Sequence, residues 1–261
     1  MQERPYHTIT ASVGEHIATI TLNLPERKNP IGPLMVNELL WALEDAAADD
    51  DVRVVVLTGA GGAFSAGGDL KQLSGADDAP TVTPKGDFSD LLLSFTKLGK
   101  PSVAKVNGVA MGGGLGLVAS CDFAVAGHTA ILGTPEIRRG LFPMMIMAVL
   151  QRVVPRRKLK EMMLLGDKLS ADTALEYGLI SHVCPTEELD QAVNDLASRL
   201  AAQSPTAMRL GLQAFHAQAD EDLATAVPSL QQRFFGLLGT EDAREGLRAF
   251  VERRPPQWTG K

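Results

Sequence analysis

The sequence of 261 residues predicts an α/β protein with a helical C-terminal region. Strand-like and helix-like segments alternate through the first half, and helical patterns dominate the last third. Two glycine-rich joints, centred on Gly68 and Gly113, each follow a β-type run. Composition agrees: 45% hydrophobic and 21% charged residues suit a globular protein with a full core. The length fits one large domain, or one domain with a small appendage. We divide it into a core over residues 1–200 and a helical C-terminal region over residues 201–261.

In chain order, Ile17 to Leu22 is short and β-branched, which predicts a strand. Asn23 to Pro30 reads as a loop from its prolines and asparagines. Leu34, Leu39, Leu40, Leu43 and Ala46 to Ala48 recur at helical spacing. Val52 to Leu57 is apolar except for Arg53, as in a strand buried on both faces. It runs directly into the first glycine-rich joint, Thr58 to Leu70. Ser74 to Asp87, rich in Pro, Asp, Gly and Thr, reads as a mobile surface loop. A helix over about Ser89 to Leu98 precedes a strand over Ser102 to Val106, and Phe123 to Ala126 is another short strand. Beyond Pro143 the pattern is mainly helical, over Met144–Val153, Leu159–Leu165, Ala171–Tyr177 and Glu187–Ala202. Ser170 is placed to cap the third of these and Gly178 to stop it. The last helices cover about Pro205–Ala219, Ala224–Leu238 and Glu241–Arg253, closed by Pro255-Pro256.

Charge and cysteine content narrow the function classes. A net charge of −6 and a pI near 5.4 argue against nucleic acid as the main partner. No window reaches eighteen apolar residues, so no membrane partner is expected. The polar start, Met1-Gln2-Glu3-Arg4-Pro5, lacks the apolar centre of a signal peptide, and a cytoplasmic location is the expectation. Cys121 and Cys184 make no disulfide scaffold and have no zinc spacing. His7, His16, His128, His182 and His216 are not paired at metal-ligand spacing, so no metal is expected.

The chemistry centres on Val106-Asn107-Gly108-Val109-Ala110-Met111-Gly112-Gly113-Gly114-Leu115-Gly116-Leu117. Consecutive glycines let the backbone approach a ligand closely. A helix starting there leaves its first N–H groups unpaired and pointed outward. Such a joint can hold a phosphate or an oxyanion, or can serve close packing alone. Neither glycine-rich joint is a Walker A loop, since no Gly-Lys-Ser/Thr follows, and neither fits a dinucleotide fingerprint. Two N–H donors brought together would form an oxyanion hole.

At this point the sequence resembles the crotonase, or enoyl-CoA hydratase/isomerase, superfamily. The resemblance is carried by Gly61 to Leu70, Asn107 to Leu115, Gly133-Thr134-Pro135-Glu136-Ile137, Leu165-Gly166-Asp167, Tyr177-Gly178-Leu179-Ile180 and Thr240 to Phe250. These segments occur in order, and the likeness runs roughly from Ile17 to Trp258. It implies a crotonase-like spiral of ββα units and a helical C-terminal region used in trimerisation, giving a homotrimer or a homohexamer. It implies an acyl-CoA substrate, with coenzyme A as part of that substrate and no separate cofactor. The thioester oxygen would be held by the backbone N–H groups of Gly68 and Gly113. Ala66 and Leu70 would lie along the bound CoA, and Arg27 or Lys28 could meet its phosphates. Arg253-Arg254 could reach an adenine or phosphate of a neighbouring subunit.

Glu136 stands where hydratases and isomerases of this family carry a catalytic glutamate. Without the resemblance it would read as a helix-start glutamate after Pro135. The sequence departs from hydratases at Gly116, where they usually carry a second glutamate that positions water. It departs again at Pro143-Met144-Met145-Ile146-Met147, where many have a glycine-rich helix start. Met144 and its neighbours would make an adaptable apolar wall if they face the acyl chain. Enoyl-CoA double-bond isomerisation by a single glutamate is therefore the leading expectation. Hydration of a 2-enoyl-CoA is the enzymatic alternative, and a non-catalytic acyl-CoA binding protein the alternative of another class.

Overall fold

The computed structural model describes residues 4–73 and 84–261. The chain opens with a hairpin, β1 (Ile9–Gly14) and β2 (Ile17–Leu22), turned by Glu15 and His16 with positive φ. A 3-10 turn (Pro25–Arg27) and α1 (Pro33–Ala48) lead to β3 (Val54–Gly59), β4 (Ala63–Ser65) and α2 (Leu70–Leu73). Then come α3 (Phe88–Lys97), β5 (Ser102–Val106), β6 (Val109–Met111), α4 (Gly113–Ser120), β7 (Phe123–Gly127) and β8 (Ile131–Gly133). A second 3-10 turn (Pro135–Arg139) precedes α5 (Met144–Leu150), α6 (Arg156–Leu165), β9 (Lys168–Ser170), α7 (Ala171–Glu176) and β10 (His182–Cys184). Four helices finish the chain: α8 (Leu189–Ala201), α9 (Pro205–Gln218), α10 (Leu223–Leu238) and α11 (Glu241–Glu252). The surface loop expected over Ser74–Asp87 lies, in residues 74–83, outside the described residues.

Two sheets share the strands in alternation. The larger has the order β1-β2-β3-β5-β7-β10 and the smaller β4-β6-β8-β9. Each successive turn of chain leaves one strand in the larger sheet, one in the smaller, and then a helix. The sequences β3-β4-α2, β5-β6-α4 and β7-β8-α5 repeat this ββα step, which is the expected spiral. Apart from the first hairpin and the β8–β9 pair, the pairings are parallel.

Strand β3 is buried at every position, and this explains its continuous apolar run. Val55 and Leu57 join the main core with α1, α3 and α4, whereas Val54 and Val56 pack with Val103 and Val125 against Leu189, Val193 and Ala197 of α8. Side chains of a strand alternate between faces, so a strand covered on both sides needs apolar residues throughout. Strands β4 and β6 of the smaller sheet lie inside segments that read as glycine-rich joints, and β8 and β9 do not read as strands, because three residues are too few to display a period of two.

Ser170 caps α7 through its hydroxyl, and Gly178 adopts a left-handed conformation just after it, as expected. Asp87 forms a capping box at α3, its carboxylate accepting from the Ser89 and Asp90 N–H groups. Among the described residues, no helix is long and apolar enough to cross a membrane.

Candidate active site

The two glycine-rich joints meet because the strands that precede them are neighbours in both sheets. β3 pairs with β5 and β4 with β6, so the segments after Gly59 and after Val106 run side by side. Asn107 ties them together, its Nδ2 donating to the carbonyls of Gly59 and Gly61 at 2.8 Å each. A Cβ on Gly108 would stand 2.2 Å from the Gly62 carbonyl oxygen, so this crossing has no room for a side chain.

The joint after β4 is held from below by Asn29, which is fully buried with φ of 54°. Its amide nitrogen donates to the carbonyls of Ala60, Ala63 and Phe64, and its oxygen accepts from the Leu24 N–H. The Ser65 hydroxyl donates to the Asn29 carbonyl and accepts from the Gly67 N–H. Ile31 donates to the Gly67 carbonyl and accepts from the Asp69 N–H, so the chain is gripped on both sides of Gly68. The Asp69 carboxylate, 5% exposed, takes the Arg27 guanidinium at 2.9 Å and caps the start of α2. Gripped in this way, Gly68 leaves its own N–H without an acceptor among the described residues.

Each glycine of the 112–114 triplet has its own neighbour. Gly112 has φ of +50°, and a Cβ there would lie 2.8 Å from Glu136 Oε1. A Cβ on Gly113 would lie 3.6 Å from the Gly68 nitrogen and 3.3 Å from Phe88 Cζ, and one on Gly114 would strike Ser65. Gly113 is the first residue of α4, so its N–H has no partner within the helix. Two free N–H groups, from Gly68 and Gly113, therefore flank one small space at the positive end of a helix. Phe88 and Ile31 form its apolar rim.

Glu136 reaches this space from the 3-10 turn after β8. Hydrogen bonding of Gly112 N–H to the Gly133 carbonyl at 3.0 Å aligns β8 beside β6 and carries the turn over Gly112. The Glu136 carboxyl is half-buried, and its Oε2 has no hydrogen-bond partner among the described residues. Burial raises its pKa above the ordinary glutamate value; its own backbone N–H and the Arg139 charge partly oppose that rise. A carboxyl held in this way is a competent proton acceptor beside an anion-stabilising pocket.

The other candidates lie in different settings. Ala66, Gly68 and Leu70 are exposed in alternation along one edge, with Asp69 and Gly67 buried between them. Lys28, also exposed, sits beside Ala66, whose N–H donates to the Lys28 carbonyl at 2.8 Å. Arg27 is engaged by Asp69, so its role includes holding the Gly68 segment, a partner its sequence neighbourhood did not indicate.

Gly116 is buried one turn along α4, and its space is taken by Ile146 and Leu92. Met144, expected as part of an apolar wall, is 65% exposed at the start of α5; Ile146 is the buried residue of that run. Arg254 is held by Glu245 and Glu252 on its own chain. Asp122 accepts from the Ser102 N–H and hydroxyl and joins β5 to β7 structurally. Sequence reading gave no role to Asn29, Asn107 or Phe88, although Asn29 stands in the polar loop before α1, Asn107 in the glycine-rich motif and Phe88 at the start of α3.

A family profile described as Enoyl-CoA hydratase/isomerase matches residues 12–261, and the chain belongs to that family, within the crotonase superfamily. Among relatives, enoyl-CoA hydratase domain-containing protein 3, mitochondrial, of Rattus norvegicus is 35% identical over 244 residues, covering 93% of this chain and 81% of the relative. The crystal structure of enoyl-CoA hydratase from Bacillus anthracis superposes with a TM-score of 0.91 at 31% identity, covering 98% of this chain and 100% of that one. Human enoyl coenzyme A hydratase domain-containing protein 3 superposes with a TM-score of 0.89 at 32% identity, covering 97% and 100%. An acyl-CoA thioester is the substrate class this family implies.

Proposed function

We propose that the protein isomerises a 3-enoyl-CoA to the 2-enoyl-CoA with Glu136 as its base. The observation that carries this reading is the pairing of one poorly solvated carboxyl, Glu136, with a fully apolar filling at Gly116. In this reading the thioester oxygen accepts from the Gly68 and Gly113 N–H groups. Glu136 removes a proton from C2, the electron pair moves into the thioester as an enolate, and the negative oxygen is held by the two donors and the α4 N-terminus. Collapse of the enolate through the C3=C4 bond shifts the double bond to C2=C3, and the proton on Glu136 is returned to C4. No water is consumed, and the carboxyl ends as it began.

The CoA portion runs along Ala66 and Leu70 in this reading, with Lys28, and Arg27 beside Asp69, at its phosphates. Remote contacts of this kind hold the reacting carbons over the hole. The protein assembles as a homotrimer or homohexamer through its C-terminal helices. Leu223, Phe235, Leu247, Phe250 and Val251 are each more than half exposed in the single chain, a large apolar surface for an isolated subunit.

Hydration of a 2-enoyl-CoA is the second reading, favoured by the names of the relatives above. It requires water oxygen to bond to C3 while a proton is delivered to C2. The test compares the two rates on enoyl-CoAs of equal chain length, separating isomer from hydrate by chromatography. Faster isomerisation supports the proposal, and efficient hydration with little isomerisation transfers the assignment to the second reading. A protein that only binds acyl-CoA would exchange no C2 hydrogen in D₂O.

A further inference from the structure

Gly112, the N-cap of α4, and Gly116 in its first turn are linked by the Gly116 N–H to Gly112 carbonyl bond at 3.0 Å. Each receives a side chain from the segment that follows β8. Glu136 Oε1 rests where a Cβ of Gly112 would meet it at 2.8 Å, and Ile146 Cγ2 rests where a Cβ of Gly116 would meet it at 2.3 Å. The carboxyl and the isoleucine are thus seated against two glycines that one helix-type hydrogen bond joins at the start of α4. Leu92 of α3 closes the far side, its Cδ2 3.7 Å from the same Gly116 point. Ile146 is 3% exposed.

We propose that Ile146, plugged into Gly116, is the residue that keeps water from the acyl chain beside Glu136 and so commits the enzyme to moving a proton. This rests on the single-carboxylate reading above. In that reading the space at Gly116, hydrogen-bonded to the glycine that Glu136 meets, is where a second polar group would have to stand to hold a water for the same substrate. It is filled by Cγ2 and Cβ of Ile146 and Cδ2 of Leu92, carbon atoms that offer a water no hydrogen bond. The contact also couples the two positions. At 2.3 Å no side chain fits on residue 116 while Ile146 keeps its place, and Ile146 is anchored by the turn of α5 behind it, where the Met147 N–H bonds to the Pro143 carbonyl at 3.0 Å. Changing residue 116 alone therefore cannot install a water-holding group.

The test uses the full-length protein and four variants: Ile146→Thr, Ile146→Val, Gly116→Glu, and the double variant Gly116→Glu with Ile146→Ala. Threonine keeps Cγ2 and places a hydroxyl where the ethyl group stood; valine trims the same branch and stays apolar. Each is given matched 3-enoyl- and 2-enoyl-CoA, and the ratio of hydrated to isomerised product is read beside a thermal melt. We expect Ile146→Thr to raise that ratio about tenfold by placing one acceptor for water. Ile146→Val should leave the ratio at the wild-type value. Gly116→Glu should melt lower than wild type, and the double variant should melt higher than Gly116→Glu and give the highest hydrate share.

The proposal is overturned if folded Ile146→Thr and Ile146→Val give the same ratio. It is also overturned if Gly116→Glu melts like wild type and raises hydration with Ile146 in place. Should Ile146→Thr fail to fold, the double variant against Gly116→Glu carries the same comparison. A wild type that already hydrates faster than it isomerises overturns the isomerase reading instead, and the change on Ile146→Thr still decides the role of Ile146.

Discussion

Glu136 leans on Gly112: its Oε1 lies 2.8 Å from the point where a side chain on residue 112 would begin, and its Oε2 is buried without a partner among the described residues. The glycine makes room for the carboxyl, and the carboxyl gains a half-buried seat against the residue that precedes Gly113. Several measurements bear on this arrangement.

Glu136→Gln keeps the shape and removes the base. Turnover should fall by roughly 10²–10⁴-fold, the usual contribution of a positioned base. The raised pKa, caused first by burial, also sets a stability trend. A carboxyl that holds its proton more tightly in the folded state favours folding below its unfolded pKa. That contribution is lost as pH rises through the folded pKa. Melting temperatures compared from acid to neutral pH should therefore show Glu136→Gln gaining on the wild type as pH rises. In the wild type, kcat/KM should climb across the same raised pKa, since only the ionised carboxylate accepts a proton.

Gly113→Pro deletes one of the two donors, and Gly113→Ala keeps it. Loss of such a donor costs about 2.7–4 kcal/mol of transition-state stabilisation. Proline is tolerated at the first position of a helix, so α4 should persist. Steady-state kinetics should show the proline variant far below the alanine variant, whose methyl group presses only on Phe88 Cζ at 3.3 Å and makes ordinary contact with Gly68 N at 3.6 Å and Ile31 Cδ1 at 3.7 Å. Equal loss in both would remove the donor from the argument.

Asn29→Ala should destabilise the fold and lower turnover together. Its amide serves three carbonyls in the buried ground beneath Gly68, and leaving buried acceptors unsatisfied costs about 1–3 kcal/mol. Denaturant unfolding and kcat measured on the same preparation would show both effects, with KM for the CoA portion changing less than kcat.

Arg27→Gln and Lys28→Gln should separate, although the residues are adjacent. Arg27 holds Asp69 beside Gly68, so its loss should reach kcat as well as KM. Lys28 is exposed and meets Ala66 through its backbone carbonyl, so loss of its side-chain charge should raise KM alone. The Lys28 effect should shrink with added salt and vanish for a short pantetheine thioester lacking the nucleotide phosphates.

Phe250→Asp, at an 84% exposed position of α11, should shift sedimentation from an assembled form toward a monomer. A wild type that sediments as a stable monomer at micromolar concentration would contradict the proposed assembly.

Local pattern was enough for β2, β3, β5 and β7 of the larger sheet and for the long helices, but its outer strands β1 and β10 were not legible. Val54 to Leu57 must be a doubly covered strand because no polar residue interrupts it, and Ser170 and Gly178 mark their helix ends by chemistry any helix requires. The same holds for the glycine triplet, whose three missing side chains announce a close approach before its object is known. Strands β4, β6 and β8 were not legible, since three residues carry no period and their pairing is made with segments distant in the chain.

Sequence by itself determined the class of fold and the two glycine joints, and through ordered motifs it pointed to Glu136. Those features depend on backbone freedom, short-range periodicity and residue type, all of which are local. Only the tertiary structure decided what faces each of them: Glu136 on Gly112, Ile146 on Gly116, Phe88 at the rim of the hole, Arg27 on Asp69 and Asn29 beneath Gly68. These partners lie from 24 to 42 residues apart, or on different turns of the spiral. No local pattern encodes them, because sheet pairing and helix packing, and not chain neighbourhood, bring them within contact distance.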